Sequence, residues 1–448
     1  MKKIRYYLLL IALLISSNIF AQSSELINVI VGNEGNFGTG NATITNYILE
    51  NSTATDGVFL SANGSGLGDI VQSVQWINGK FYIVVNNSQK IVIADPSNFM
   101  QTGQISFGEG SSPREIVKVS DTKAYVTDLF GSAVYSVNLE NLTVAETTIG
   151  VGKNPDRIIT HNGFAYVANN GFGSDSTIFK IDISSDAVVD TFIVSRGPAG
   201  MVVDTENTLW VVCTGYSGDF DDDFNIVPGT SRPGGLYGID LNTGSTVAFS
   251  ELASADSDIA LDEEDEVIFI NSGGVRVFNL ENNTFSPDTL IPGFFYAMGY
   301  EKISNSLYLA DAKDFSSAGE VNIYTNSGVQ TGSFDTGIIP GSFLYVYNDM
   351  IGTNTESNES IRSFTLAQNY PNPFNPSTNI EFSLQQSGNI KLEVFNATGQ
   401  IVAELVNGFY TSGAHFVAFD ASQLSSGIYI YRIVTEQGSI SKKMILIK

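Results

Sequence analysis

A short run of aromatic and β-branched residues, set just after a tight turn, recurs seven times along this chain. That recurrence predicts an all-β protein, with a seven-bladed β-propeller over residues 25–350 and a small C-terminal Ig-like β-sandwich over 364–448. Two further observations agree. Between 25 and 350 the apolar runs are short, alternating and bounded by Gly, Asn, Asp or Ser, which is the pattern of strands and turns. The last segment opens on three prolines within six residues, Pro371, Pro373 and Pro376, which forbid helix and hold the chain extended.

Taken from the start, residues 1–21 read as a secretory signal peptide. Lys2, Lys3 and Arg5 form the positive end, Leu8 to Ile15 is an apolar run too short to span a bilayer, and Ile19-Phe20-Ala21 offers a cleavage site before Gln22. The alternative is an uncleaved anchor. No cysteine follows the run, which argues against a lipid anchor. The one cysteine, Cys213, precludes an internal disulfide, and within Leu209-Trp210-Val211-Val212-Cys213 it reads as a buried, inert thiol. The chain carries 47 acidic and 22 basic residues, a net charge of −25; between signal and tail the count is 40 against 13. Such a surface repels nucleic acid and anionic lipid, so no nucleic-acid partner is expected, and the chain is read as a soluble extracellular monomer.

The repeats centre on Ile30, Tyr82, Tyr125, Tyr166, Trp210, Phe269 and Tyr308, at spacings of 39 to 59 residues, the length of a four-stranded blade. The fourth repeat displays the unit: Arg157-Ile158-Ile159 opens an inner strand, Asn162-Gly163 turns it, Phe164 to Ala168 returns, and Ile178 to Ile183 and Val188 to Val194 complete the sheet. Each strand is apolar toward both faces, so one blade cannot bury itself and a closed ring can. The first repeat starts at a second strand, whereas Gly341-Ser342-Phe343-Leu344-Tyr345-Val346 is an orphan run after the seventh. That run is expected to supply the missing inner strand and lock the ring. Eight blades, with one hidden in the long fifth repeat, is the alternative count. Ala165-Tyr166-Val167-Ala168-Asn169-Asn170, Ile181-Asp182, the Gly150-Val151-Gly152-Lys153-Asn154-Pro155 joint and Ala124-Tyr125-Val126-Thr127-Asp128 resemble the YVTN/YncE-like propellers. The resemblance implies a fold and leaves the activity open.

A Ser/Asn/Glu-rich linker, 351–363, separates the ring from the tail. In the tail, Ile380 to Leu384, Ile390 to Val394, Ile428 to Ile433 and Met444 to Ile447 read as strands, and Thr398-Gly399 and Ser426-Gly427 as turns. Asn369-Tyr370-Pro371-Asn372-Pro373-Phe374, Thr398-Gly399-Gln400, Ser425-Ser426-Gly427-Ile428-Tyr429 and the end from Lys442-Lys443 to Lys448 closely resemble the type A C-terminal sorting domain of type IX secretion. The resemblance implies passage across the outer membrane, the type IX machinery as partner, and a final location outside the cell or on its surface.

Function is expected at one mouth of the ring, lined by the second-to-third strand loops and the joints between blades. Those loops carry Phe37, Phe130, Phe172, Tyr216 and Phe315, with Asn169 and Asp311 among their amides and acids, and Phe294-Phe295-Tyr296 occupies a joint. Aromatics interleaved with amides suit a large, flat or sugar-like ligand; packing between blades is the other reading. Arg114, Arg157 and Arg196 lie in successive joints, placed either to hold a ligand carboxylate or phosphate or to pair with acids such as Glu115 and Asp156. Asp219, Asp221 and Asp223 resemble half a calcium loop, but Phe224 stands where Gly is needed and Thr230 where a bidentate Glu is needed. A solvated loop is preferred there. No cofactor is assigned, with a divalent ion in the channel or in the Asp219–Asn225 loop kept open.

Catalysis finds little footing. The propeller has one histidine, His161, expected at the opposite face, and no Ser-His-Asp or Cys-His set can be assembled. The leading expectation is capture of a small molecule (cofactor, siderophore or glycan) for hand-over to an outer-membrane transporter, as in the surface propellers of Bacteroidetes that the fold resembles. A metal-dependent lactonase- or lyase-like enzyme and a protein-interaction or matrix component are the alternatives.

Overall fold

A computed structural model of the chain describes residues 24–219, 221, 225–252, 258–350, 364–366, 369, 371–384, 387–396, 400–435 and 438–448. The signal peptide, the linker, Tyr370, Asp222, Asp223 and Phe224 lie outside these residues. The chain divides into two compact units, 1–350 and 351–448.

The first unit consists, among the described residues, of seven antiparallel sheets, six of four strands and one of five. The sheet Pro155–His161, Phe164–Asn169, Thr177–Asp182, Ala187–Ile193 is representative, with Ile158 opposite Val167 and Tyr166 opposite Lys180. Burial grades outward. Second strands such as Phe164–Asn169 and Thr208–Cys213 are buried on both faces, whereas the fourth strand Ala187–Ile193 is largely exposed. Double-sided burial explains why the second strands read as unbroken apolar runs: each sheet packs between two others. Tyr125 and Val134 of the third sheet share a core with Ile158, Ala165 and Val167 of the fourth, and Tyr166 and Ala168 share one with Leu209, Val211 and Cys213 of the fifth. All seven repeat centres, Ile30 to Tyr308, are at most 4 % exposed.

Ends of the unit meet in one sheet, in the order Pro340–Tyr347, Leu26–Asn33, Thr43–Ile48, Thr53–Thr55. Phe343 pairs with Val31, Leu344 with Ile30, Tyr345 with Val29 and Val346 with Asn28, so the orphan run is the inner strand of the first sheet. The inner strands Val71–Ile77, Pro113–Lys118, Pro155–His161, Pro198–Val203, Ile259–Asp262, Ala297–Glu301 and Pro340–Tyr347 adjoin one another in that order, and the last adjoins the first. The arrangement is propeller-like, and pairing the chain ends leaves no open inner edge. One element has no sequence forecast. A six-residue helix, Val58–Asn63, sits between Gly57 and Gly64, both at positive φ, and buries Phe59.

Among the described residues the second unit holds two sheets: Phe364–Leu366, Ser377–Leu384, Gly413–Asp420, and Ile401–Tyr410, Gly388–Asn396, Gly427–Thr435, Gly438–Leu446. One core joins them, with Ile380, Phe382 and Phe419 from the first sheet and Leu392, Val394, Tyr431 and Ile433 from the second.

Candidate functional site

Because successive strands are antiparallel, the second-to-third strand loops and the joints between sheets emerge on one face of the first unit. A cavity of ≈ 330 Å³ opens there between Glu34, Gln72, Arg114, Asp156, Arg157, Asp258, Phe315 and the joint Phe294-Phe295-Tyr296. A deeper space of ≈ 220 Å³ among the inner strands shares Arg157, Asp258 and Gly341 with it and adds Ser73, Gln75, Glu115, Ser342 and Tyr345. Together they form a funnel running into the ring.

Charge in the funnel is tightly arranged. Arg114 Nε donates to Asp156 Oδ1 at 2.8 Å, and its Nη1 donates to Gln72 Oε1. Arg157 Nη2 donates to Asp258 Oδ1 at 3.3 Å, and Asp258 Oδ2 also accepts the Met298 amide. Both guanidinium groups are therefore engaged by carboxylates. Burial alone would raise the Asp156 carboxyl, but Arg114 and Arg157 outweigh it and hold the group low. Burial likewise works against the Arg157 cation, and Glu115, Asp258 and Asp156 overcome it. Two carboxyls receive no guanidinium bond. Glu34, bonded by the Tyr296 hydroxyl, is pushed up by burial against the opposing pull of Arg114 and Arg157. Glu115, whose Oε2 accepts the Ile158 amide at 3.0 Å, is raised by burial in the same way. The hydroxyls of Ser342 and Tyr345 are buried without a hydrogen-bond partner.

On the same face stand exposed aromatic rings, of which Phe294 and Phe315 line the funnel. Phe37 is 78 % exposed, Phe130 66 %, Phe172 66 %, Phe294 67 % and Phe315 41 %. The first three do not pack between blades. Phe315 meets Tyr296 edge to face at 5.7 Å, and Asn36 Nδ2 of the neighbouring loop donates to its carbonyl at 2.7 Å. Phe172 and Phe315 hold their rings out from left-handed backbone, at φ 50° and 61°.

Other residues singled out in the sequence lie elsewhere. Arg196 and Tyr216 line a separate cavity of ≈ 340 Å³ with Ser174, Asp219, Thr230 and Arg232. Arg196 Nη1 donates to the Ser174 carbonyl, and the Tyr216 hydroxyl to Asp219 at 2.7 Å. Arg196 thus parts company with Arg114 and Arg157. Asn169 is fully buried, and its Nδ2 donates to Thr177 Oγ1 at 3.1 Å, tying its own loop. Asp128 does the same work in the third sheet, accepting the amides of Ser112, Phe130 and Gly131. Asp311 is paired with Lys313 at 3.0 Å. His161 Nε2 contacts Asn207 Oδ1 at 2.7 Å. In the insertion, Asp221 Oδ1 accepts the Asn225 amide. The sequence reading missed Glu34 as a mouth residue and the pairing of Arg157 with Asp258, which lies 101 positions away with no local signal to link them.

The sorting-type motif of the second unit is built inward. Asn369 is buried, its Nδ2 donating to the Pro371 carbonyl and to Thr378 Oγ1, both at 3.0 Å, while its amide donates to the Tyr431 hydroxyl. Asn372 Oδ1 accepts the Ile445 amide at 2.8 Å across a segment containing a cis Asn372–Pro373 bond. Phe374 is buried and bridges to Leu446, bonding both Ile445 and Ile447. Lys443 lies on the last strand, opposite Ile430. Lys448 Nζ reaches the Ser422 carbonyl at 2.6 Å.

Comparison with known proteins agrees with these two units. Residues 28–221 match a family described as a domain of unknown function, DUF5074. No curated protein matches the chain. Among solved structures, a quinoprotein alcohol dehydrogenase-like protein from Bacteroides thetaiotaomicron has a TM-score of 0.53 at 14 % identity, covering 71 % of this chain and 78 % of its own. Hydrazine synthase from Kuenenia stuttgartiensis has a TM-score of 0.50 at 15 % identity, over 61 % of this chain and 88 % of its own. At such identities the likeness is one of fold alone, and that fold is propeller-like. Residues 368–448 match the secretion system C-terminal sorting domain, which marks the protein as cargo of the type IX secretion system, exported to the extracellular space or the outer-membrane surface.

Proposed function

We propose that the first unit is a seven-bladed, YncE-like β-propeller, the second an Ig-like sandwich, and the exported protein a binder that captures a small molecule of cofactor, siderophore or glycan class at the propeller mouth. The observation that carries this reading is the set of exposed rings on the loops of one face, Phe37, Phe130 and Phe172 with Phe294 and Phe315, the last two lining the funnel. Leaving a Phe side chain in water forgoes about 1.5–3 kcal/mol of burial. Exposed apolar groups gathered around a concave site are the mark of an interaction surface. Rings also bring large contact area with few rotors to freeze. Capture at the surface would place the ligand where an outer-membrane transporter could receive it.

The test is a thermal-shift panel on the exported protein with corrinoids, ferric siderophores, oligosaccharides and organic amines. A stabilising ligand whose affinity falls at least about tenfold in Phe315→Ala and Phe172→Ala supports the reading, since each such loss is only about 1.4 kcal/mol. No shift with any class refutes it.

A further inference from the structure

The charge of the funnel points to the class of ligand. Four carboxyl groups, from Glu34, Glu115, Asp156 and Asp258, line it against two guanidinium groups, and both guanidinium groups are already bonded to Asp156 and Asp258. The surplus sits on Glu34 and Glu115, which have only a hydroxyl and an amide as hydrogen-bond partners. Burial raises both of these against the pull of Arg114 and Arg157, which are bonded to other carboxylates. Beside Glu34 stands an aromatic corner, formed by Tyr296 and Phe315 in edge-to-face contact with Phe294 next in the wall. Carboxylates combined with ring faces attract a cation both by charge and by the ring quadrupole. The buried Tyr345 hydroxyl, which has no partner in the protein, offers a further polar contact to an occupant of the funnel. Among the described residues no three acidic, His or Cys side chains converge, and the aromatic wall beside Glu34 suits an organic cation.

We infer that the funnel binds an organic cation, a small molecule whose amine or guanidine group meets Glu34 while its apolar part lies on Phe294, Tyr296 and Phe315. This inference rests on the reading of the mouth as a ligand site and names the chemistry it selects. Binding draws protons off Glu34 and Glu115, so affinity weakens as pH falls toward the carboxylate range. Around Glu34 the charged groups are Arg114, Arg157 and Asp156, with Tyr296 bonded to it; around Glu115 they are Arg157, Asp156 and Arg114.

The experiment is calorimetric titration of the exported protein with three probes that share a phenyl ring and differ in charge: phenethylamine, 2-phenylethanol and phenylacetate. Phenethylamine is expected to bind at least about tenfold more tightly than 2-phenylethanol, and phenylacetate more weakly than either. Glu34→Gln should remove most of that preference, and the exposed Phe294→Ala should weaken phenethylamine several-fold with the fold intact. Arg196→Ala, outside the funnel, should change nothing. Equal affinity for all three probes, preference for phenylacetate, or no binding of phenethylamine overturns the cationic class. The wider panel described above decides separately whether the mouth binds anything, so the two failures can be told apart.

Discussion

Gly299→Ala examines ring closure at a single atom. Gly299 lies on the inner strand Ala297–Glu301, beside the closing strand Pro340–Tyr347. A Cβ added there would run into the Tyr345 hydroxyl oxygen and come within 3.0 Å of Phe343 Cδ2. Both obstacles are ring systems on a paired strand with little room to retreat, so overpacking should cost about 1–3 kcal/mol. Tyr345→Phe removes the nearer obstacle and a buried hydroxyl with no partner, so by itself it should be neutral or stabilise by up to about 1 kcal/mol. Combined with Gly299→Ala it should recover part of the loss, since Phe343 remains in the way. A coupling of about 1 kcal/mol between adjacent sites is then expected. Urea unfolding followed by tryptophan fluorescence measures this directly, because Trp76 and Trp210, the two tryptophans of the chain, both belong to the first unit. Wild-type stability for Gly299→Ala, or strict additivity with Tyr345→Phe, would show that the closing strand does not pack on Ala297–Glu301 as described.

Asn369→Ala should destabilise the sorting domain by about 1–3 kcal/mol, seen by circular dichroism of the isolated transition and as reduced secretion, because it removes the buried amide that bonds both the Pro371 carbonyl and Thr378 Oγ1. Lys80 and Ser97 hold the Asp95 carboxyl down to about 2, below its ordinary 3.8, so its contribution is present above about pH 4 and disappears as pH falls through about 2. Asp95→Asn should accordingly lower stability at neutral pH and leave the acid end unchanged in a pH series of urea midpoints. Burial pushes the Cys213 thiol up to about 12, so maleimide should leave the native protein unlabelled and react once it is unfolded. Phe172→Gly should be neutral or stabilise by up to about 1 kcal/mol in thermal melts while weakening ligand binding.

Architecture was legible because it rests on local signals. The second strands show in the sequence since they are buried on both sides and need apolar residues throughout, as in Phe81–Val85 and Tyr166–Ala168. The closing strand was visible as a strand-like run with no hairpin partner. Helix Val58–Asn63 was not, since six residues between two glycines are too short for a helical period to register. In the tail, Ile401–Tyr410 and Gly413–Asp420 escaped because their exposed, mixed faces carry polar residues and glycine. The mouth was half legible. Its loops follow from topology, so the rings of Phe37, Phe130, Phe172 and Phe315 could be named. Pairing of the arginines with acids could be named, and Asp156 does hold Arg114, but the partner of Arg157 could not, for Arg157 and Asp258 meet only after the inner strands have been brought around a circle.

Backbone strain separates the mouth rings from aromatics that merely pack. Phe99, Phe172 and Phe315 all adopt left-handed φ, a conformation costing a residue with a Cβ about 1–2 kcal/mol. For Phe99 the cost is offset on the spot: its ring is buried and tilts against Phe81. Phe172 and Phe315 have no such return in full, because much of each ring faces water, yet glycine would hold the same turns without strain, as Gly171 and Gly173 do on either side of Phe172. A side chain kept in a strained turn and left in solvent contributes to neither folding nor solubility. The proposed ligand site would account for both: Phe315 lines the funnel, and Phe172 stands on a loop of the same face.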